Sequence, residues 1–313
     1  MKGARGLRLA VLNRRANAYI VAHPLAFTLG VLKCFRANQG LLLAGAVAYY
    51  ALLSIVPFLM LVVVALSHFL DPAELLLTLR RYLELLVPGQ SASIVAEVAH
   101  FLAERDLITW VLAATMVFFS SFAFTVLENA MSVIFVHRVA VRRRHFLVSA
   151  LLPYCYILAL GFGIMIVTLV AGTLQVIGSE SVELFGYKWS LHGVSGALLY
   201  LLGLAGEILV LTSIYLVMPV GRLSLSHALV GGVTAALLWE VARHVLVWYF
   251  STLSKVNVVY GSMSTAIVVM FSLEIGAALL LFGAQVIAEY ERVGQGGRPG
   301  RRKRWRPGRP NEQ

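Results

Sequence analysis

Four glutamates lie inside long apolar stretches of this 313-residue chain, and they are the residues from which chemistry could most readily be built. A carboxylate is costly at membrane depth, so each is predicted to face the interior of a helix bundle, where it could contact a polar substrate or carry a proton. An alternative stays open, in which the carboxylates only pair with neighbours and hold helices together. The four are Glu128, Glu207, Glu240 and Glu274.

Basic and amide side chains accompany two of these glutamates. Arg243 and His244 follow Glu240 by three and four residues, which places all three on one face of a helix. The spacing predicts an ion pair between Glu240 and Arg243, and His244 is a candidate proton relay. Asn129 adjoins Glu128. We take these residues and the four glutamates as the candidates for a substrate path or a proton-linked site.

Motifs for nucleotide, metal or hydrolytic chemistry are absent from the sequence. It contains no GxxxxGK[ST] loop, no HExxH helix and no pair of CxxC segments. The eight histidines are scattered along the chain and do not form a ligand set for a metal. The sequence therefore predicts no metal, no cofactor and no enzymatic activity.

Composition places these residues in a membrane. Hydrophobic residues make up 59% of the chain and charged residues 13%, about half the charge typical of soluble domains. Crossing a bilayer takes about 20 apolar residues, and six stretches are long enough. The sequence predicts an all-α polytopic membrane protein with spans at 41–70, 107–136, 146–172, 196–219, 226–250 and 262–288.

The segments around the spans complete the predicted organisation. Residues 1–23 form a basic N-terminal segment, 24–290 the membrane domain and 291–313 a disordered basic tail. After Pro24, a stripe of apolar residues predicts an interfacial helix, with an extension of the first span as the alternative. Residues 71–106 are predicted to form an external helical hairpin. The stripe consists of Leu25, Thr28, Leu29, Leu32 and Phe35.

Charge asymmetry predicts the orientation. With both termini on one face of the membrane, 20 Lys and Arg side chains lie on that face and five on the other. The positive-inside rule then places both termini in the cytoplasm. Beside a membrane, the basic segments favour anionic lipid over nucleic acid as a partner.

Helix-breaking residues suggest where the spans bend or pack closely. Pro57 lies inside the first span and removes a backbone hydrogen bond. Gly231 and Gly232 lie near the start of the fifth span. Such glycines serve either as hinges or as close-packing positions, and the sequence leaves both roles open.

Several motifs resemble the YihY/BrkB family of bacterial inner-membrane proteins. Residues 48–57, AYYALLSIVP, are similar to the family pattern AYxxLLSLVP, and weaker similarities continue through residues 128–130 and 228–240. The likeness extends from about residue 30 to 293. Two departures are Gln285, where the family has Glu, and Val220, where it has Asn. The motif residues are Tyr49, Ser54, Pro57, Tyr260, Gly261, Gly283 and Gln285.

The resemblance implies a six-span protein of the bacterial inner membrane, of a family labelled as virulence factors and associated with transport of lipids or small solutes. We therefore expect a transporter or translocase whose path is lined by the intramembrane carboxylates. One alternative is a non-catalytic envelope protein that binds a partner or anionic lipid. An old ribonuclease label of the family is a remote second alternative, because the cytoplasmic segments contain almost no acid. The oligomeric state stays open.

Overall fold

The computed structural model describes residues 16–67, 71, 73–77, 79–80, 95–96, 98–100, 102, 114–115, 117–119, 121–135, 156, 182–184, 187–189, 192–218, 223–253 and 263–296. Predictions for the basic segment 1–15, the tail after residue 296, Tyr260, Gly261 and, except for Tyr156, the span 146–172 lie outside these residues. The helices are α1 Ala16–Ala22, α2 Pro24–Ala37, α3 Gly40–Leu66, α4 Phe122–Ile134, α5 His192–Val217, α6 Leu225–Leu253 and α7 Met263–Gly294.

Helices supply almost all regular structure in these ranges, so the predicted all-α class is confirmed. One short antiparallel hairpin was not predicted. Its strands, β1 Val182–Leu184 and β2 Tyr187–Trp189, pair with Glu183 opposite Lys188. The hairpin belongs to the connection that precedes α5.

Four segments of the described residues are long and apolar enough to cross a membrane: Val117–Ile134, Tyr200–Val217, Leu225–Leu246 and Val269–Gly294. Helices α1 and α2 meet at 107° and would add a fifth if they formed one broken span. Helix α3 has 27 residues, contains Pro57 and carries no charged side chain. The chain is thus a polytopic helical membrane protein.

Helix α7 is central to the described bundle, because it packs against α2, α3, α4 and α6. Helix α5 packs against α6, and α4 against α3. Large side chains fill the contacts between these helices. The largest fully buried apolar ones are Tyr215, Phe135, Met131, Leu281 and Ile287.

Glycines allow α5, α6 and α7 to approach closely. A Cβ atom added at Gly231 would lie 3.0 Å from the carbonyl oxygen of Gly283 on α7. One added at Gly232 would lie 3.2 Å from the carbonyl oxygen of Ile208 on α5. Both positions are therefore close helix crossings that leave no room for a side chain. Gly283 also lies beneath the hydroxyl of Tyr215, which donates a hydrogen bond of 2.7 Å to the carbonyl oxygen of Leu280.

Ser54, a residue of the family signature, inserts its hydroxyl into the backbone of a neighbouring helical segment. Its Oγ accepts from the backbone N–H of Ala123 at 3.2 Å and lies 3.0 Å from the carbonyl oxygen of Phe119. In an uninterrupted helix those two backbone groups would bond to each other. The inserted hydroxyl accounts for the turn at Ser121, where α4 begins after an earlier helical piece.

Helix α2 has two apolar faces. Phe27 and Val31 pack against Val286, Tyr290 and Val293 of α7. The leucines of the predicted stripe, Leu25, Leu29 and Leu32, are exposed. Phe35, predicted on the same stripe, is instead buried, and its ring meets that of Phe282 edge-on. One face therefore packs on the bundle while the other is available to lipid.

The described parts of the predicted external hairpin contact each other at the end of α3. Leu75, Val98 and Leu102 are buried together with Val63. Leu75 belongs to the first arm of that hairpin and the other two to its second arm, so both arms pack over the end of α3.

Candidate functional site

Two polar clusters stand out in the apolar bundle. The first, which we call the α5–α6 cluster, consists of Tyr200, Glu207, Glu240, Arg243 and His244. The carboxylate of Glu240 accepts a hydrogen bond of 2.7 Å from the Tyr200 hydroxyl on the facing helix. Arg243 Nη2 donates to both carboxylate oxygens, at 2.7 and 2.8 Å. His244 Nδ1 lies 2.7 Å from the backbone oxygen of Glu240.

This cluster opens on the outer surface of the described bundle. The side chain of Glu240 is only 16% exposed, whereas those of Arg243 and His244 are 52% and 72% exposed. Both basic side chains lie at the surface of the described bundle, because α5 covers Glu240 but not the residues one turn further on. The cluster is an open notch between two helices.

The notch lies near the middle of α6. Glu240 follows Leu225 by 15 residues and precedes Leu253 by 13. The exposed rings of Trp248 and Tyr249 follow Glu240 by eight and nine residues, about 12 Å and 14 Å along the helix. Aromatic side chains commonly mark a membrane interface.

Glu207 lies deeper along the same helix pair. It follows Tyr200 by two helical turns, about 10 Å along α5, and it is close enough to Glu240 and Arg243 to interact with both electrostatically. Its Oε1 atom is buried and has no hydrogen-bond partner among the described residues. An orphaned carboxylate oxygen is costly in apolar surroundings, so this atom requires a proton, a water molecule or a cation.

The remaining candidates lie elsewhere. Glu274 is on the face of α7 that meets α3, where its Oε1 atom is 3.7 Å from the position of a Cβ atom on Gly45. Gly276, two residues on, faces Trp239 of α6 instead. Glu128 is half-buried and Asn129 exposed on α4, which packs against α3 and α7. Among the described residues, Glu207 and Glu240 thus lie together, whereas Glu274 and Glu128 lie on other helix faces.

The second cluster, which we call the α2–α7 cluster, lies at the opposite end of the bundle and is closed. His227 Nδ1 and Glu291 Oε1 are 2.8 Å apart, and both side chains are buried. Glu289, fully buried, accepts a hydrogen bond of 2.8 Å from Arg292 Nη1. Asn38, which follows α2, donates a hydrogen bond of 2.7 Å to Gln285.

Two further contacts attach the N-terminal helices to this cluster. Arg292 Nη1 lies 3.6 Å from the sulfur of Cys34 on α2. The Tyr290 hydroxyl donates a hydrogen bond of 2.8 Å to Asn17 on α1. Gln285, named above as a departure from the family pattern, serves as the acceptor for Asn38.

Sequence reasoning missed most of the α2–α7 cluster. It ended the last span at residue 288 and began the tail at residue 291, so that Glu289 fell just after the span and Glu291 in the tail. The helix continues to Gly294. Val286, Tyr290 and Val293 recur at helical spacing, and this apolar periodicity was the signal that the helix and its buried face continue. Tyr200, the partner of Glu240, carried no comparable signal.

No group of three or more His, Cys, Asp or Glu side chains that could hold a metal ion occurs within the described ranges. Tyr156 contacts α5 on another side, where its hydroxyl is 2.5 Å from Ser213 Oγ.

Fold and site together define a polytopic helical membrane protein with ionisable side chains paired inside and beside its spans. The family model described as virulence factor BrkB matches residues 31–307. The chain belongs to this family, as its motifs predicted.

Curated relatives are named only as membrane proteins. The chain is 28% identical over 270 residues to a UPF0761 membrane protein of Alkalilimnicola ehrlichii, covering 84% of this chain and 58% of that relative. It is 25% identical over 268 residues to one from Photobacterium profundum, with coverages of 84% and 77%. The chain spans little more than half the length of most curated relatives it matches. No solved structure matches it.

Proposed function

We propose that the protein is a transporter or translocase of the bacterial inner membrane that moves a lipid or small solute along the α5–α6 face. The observation that carries this proposal is the notch itself. It combines an exposed guanidinium and imidazole, a covered carboxylate and, deeper, a carboxylate with an orphaned oxygen. A purely structural ion pair between Glu240 and Arg243 would not require a nearby carboxylate with an orphaned oxygen.

The order of the groups supports a path that leads inward from the lateral surface. A polar head group would first meet Arg243 and His244, then Glu240 and Tyr200, and finally Glu207, about 10 Å further along α5. Charged groups in spans commonly mark ion and substrate pathways. Because the sequence has no nucleotide-binding motif, transport would be passive or driven by a gradient, with Glu207 as the proton-accepting group.

The orientation follows from the charge asymmetry. Both termini are cytoplasmic in this proposal, so the α2–α7 cluster lies at the cytoplasmic end of the bundle and the open notch in its periplasmic half. The exposed leucines of α2, with Lys33 and Arg36 beside them, would then rest on the anionic cytoplasmic leaflet.

A flux assay tests the function. Purified protein is reconstituted in liposomes that contain nitrobenzoxadiazole-labelled phosphatidylglycerol, and the fraction of label protected from dithionite reports movement between leaflets; a trapped pH dye reports protons. We expect the flux to exceed that of protein-free liposomes. Glu207→Gln or Glu240→Gln should each reduce it at least about tenfold, because a factor of ten corresponds to the loss of about one charge-assisted hydrogen bond.

The matched control is Glu74→Gln, because Glu74 is an exposed carboxylate outside the predicted spans and should leave the flux unchanged. Equal flux from all three variants would overturn the proposed path. Absence of flux in every sample would favour the second candidate, a non-catalytic envelope protein. The closed α2–α7 cluster and the lipid-facing leucines of α2 are also consistent with that function.

A further inference from the structure

The exposed face of α6 is an apolar surface from which two basic side chains project. Residues at positions i, i+4, i+8 and i+11 of this face are exposed, and His244 lies among them. Arg243 lies beside this stripe, half-exposed. The apolar members are Leu237, Val241, Val245 and Trp248. Such a stripe contacts lipid acyl chains, so the two basic groups also face lipid.

Both basic side chains keep hydrogen-bonding capacity on their outward side. Nη2 is the nitrogen of Arg243 that binds Glu240, whereas a guanidinium carries five N–H donors on three nitrogens. His244 uses Nδ1 towards the backbone oxygen of Glu240, which leaves Nε2 on the exposed edge of the ring. Because a donor without a partner is costly in hydrocarbon, a ligand on the lipid side must supply acceptor oxygens to the guanidinium of Arg243.

The donor geometry defines which acceptor fits. A guanidinium matches the paired oxygens of a phosphate group, and Arg243 keeps donors beyond the nitrogen that binds Glu240. Arg243 and His244 precede the exposed ring of Trp248 by five and four residues, about 8 Å and 6 Å along the helix. The long side chain of an arginine at this depth reaches towards the head-group layer, where the phosphate group available is a phosphodiester.

We propose that Arg243 and His244 form a lateral binding site for the phosphodiester head group of a phospholipid, with its acyl chains along Leu237, Val241 and Val245. Tyr200, whose hydroxyl donates to the Glu240 carboxylate, borders this site on the α5 side and is itself half-exposed. The inference deepens the proposed function, on which it rests, by assigning a substrate class: a phosphate-bearing lipid that reaches the path sideways from the bilayer.

Photo-crosslinking of the full chain in nanodiscs tests this site. Phosphatidylglycerol with a diazirine in its acyl chain is photolysed, and labelled peptides are identified by mass spectrometry. We expect labelling of the α6 peptide that contains Val241 and Val245, reduced about tenfold in the Arg243→Gln, His244→Gln double variant. His244→Gln alone keeps the ion pair between Glu240 and Arg243 and should reduce the labelling less. This single variant still tests the site if the double variant misfolds.

Lys33→Gln is the matched control, because Lys33 is an exposed basic residue on α2 and its loss should leave α6 labelling unchanged. Photoreactive diacylglycerol, which lacks the phosphate, should label α6 weakly. Equal labelling by both lipids, or equal labelling of all variants, would overturn the site. Displacement by millimolar inorganic phosphate would assign it to a free anion and would also overturn the proposal. Labelling with no flux would leave the lipid site standing and refute transport.

Discussion

The two polar clusters each contain a Glu–Arg pair with the same helical spacing, but one pair is buried and the other is exposed. In each, an arginine three residues after a glutamate reaches back to its carboxylate, at 2.7 Å between Arg243 and Glu240 and at 2.8 Å between Arg292 and Glu289. Helices α1 and α2 cover the second pair, so that Glu289 is fully buried and Arg292 is 26% exposed. No described helix covers the first pair in this way.

Helical spacing alone therefore does not assign a role to an intramembrane ion pair. A covered pair with further partners, such as that of Glu289, holds helices together, because removal of either member leaves a buried charge without compensation. An open pair retains donors that a ligand can use. The two pairs differ because neighbouring helices bury one and leave the other exposed. Matched substitutions at the two pairs measure the resulting difference in stability.

The largest effect is expected at the covered pair. Arg292→Met removes the guanidinium that compensates Glu289 inside the bundle, and we expect it to lower the free energy of unfolding by about 3–5 kcal/mol. Arg243→Met, the matched change at the open pair, should lower the thermal midpoint far less. Thermal unfolding of both variants in one detergent measures the difference. Equal midpoints for the two would show that the clusters are not energetically distinct.

A smaller effect is expected where helices meet through glycine. Gly283→Ala places a methyl group against the Tyr215 hydroxyl and, at 3.0 Å, against the backbone oxygen of Gly231, so we expect a loss of about 1–3 kcal/mol from overpacking. Gly203→Ala on α5 is the control, because a Cβ atom there would meet nothing within 4 Å. The free energy of unfolding in a denaturant titration reports both. A harmless Gly283→Ala would mean that the crossing is looser than its distances imply.

Sequence reasoning reached the helical membrane class because apolar stretches of this length are typical of membrane-spanning helices and rare in soluble domains. The i, i+3 spacing was enough to suggest the bond between Glu240 and Arg243, since helix geometry fixes which side chains are neighbours. It could not suggest Tyr200 as a partner of Glu240, because that contact depends on how α5 and α6 are aligned. For the same reason, whether Gly231 and Gly232 were hinges or contacts depended on what faces them.

The α2–α7 cluster shows a different limit. Charges near the end of a span are ordinarily expected in solvent, and the predicted boundaries placed Glu289 just after the last span and Glu291 in the tail. They are buried because α1, α2 and the start of α6 pack around the last turns of α7. No local pattern in residues 289–292 encodes that cover; only the apolar periodicity of the helix indicated it.

Thiol accessibility tests the central claim, an open α5–α6 notch opposite a sealed α2–α7 cluster, most directly. Native Cys34, buried in the sealed cluster, is the internal reference, and a Cys155→Ser background removes the second thiol. We predict that N-ethylmaleimide, which is small and enters detergent micelles, labels Glu207→Cys in the solubilised protein while Cys34 stays unlabelled until the protein is denatured. A Glu207→Cys thiol as unreactive as Cys34 would contradict the account, because no open path would then reach the deep carboxylate.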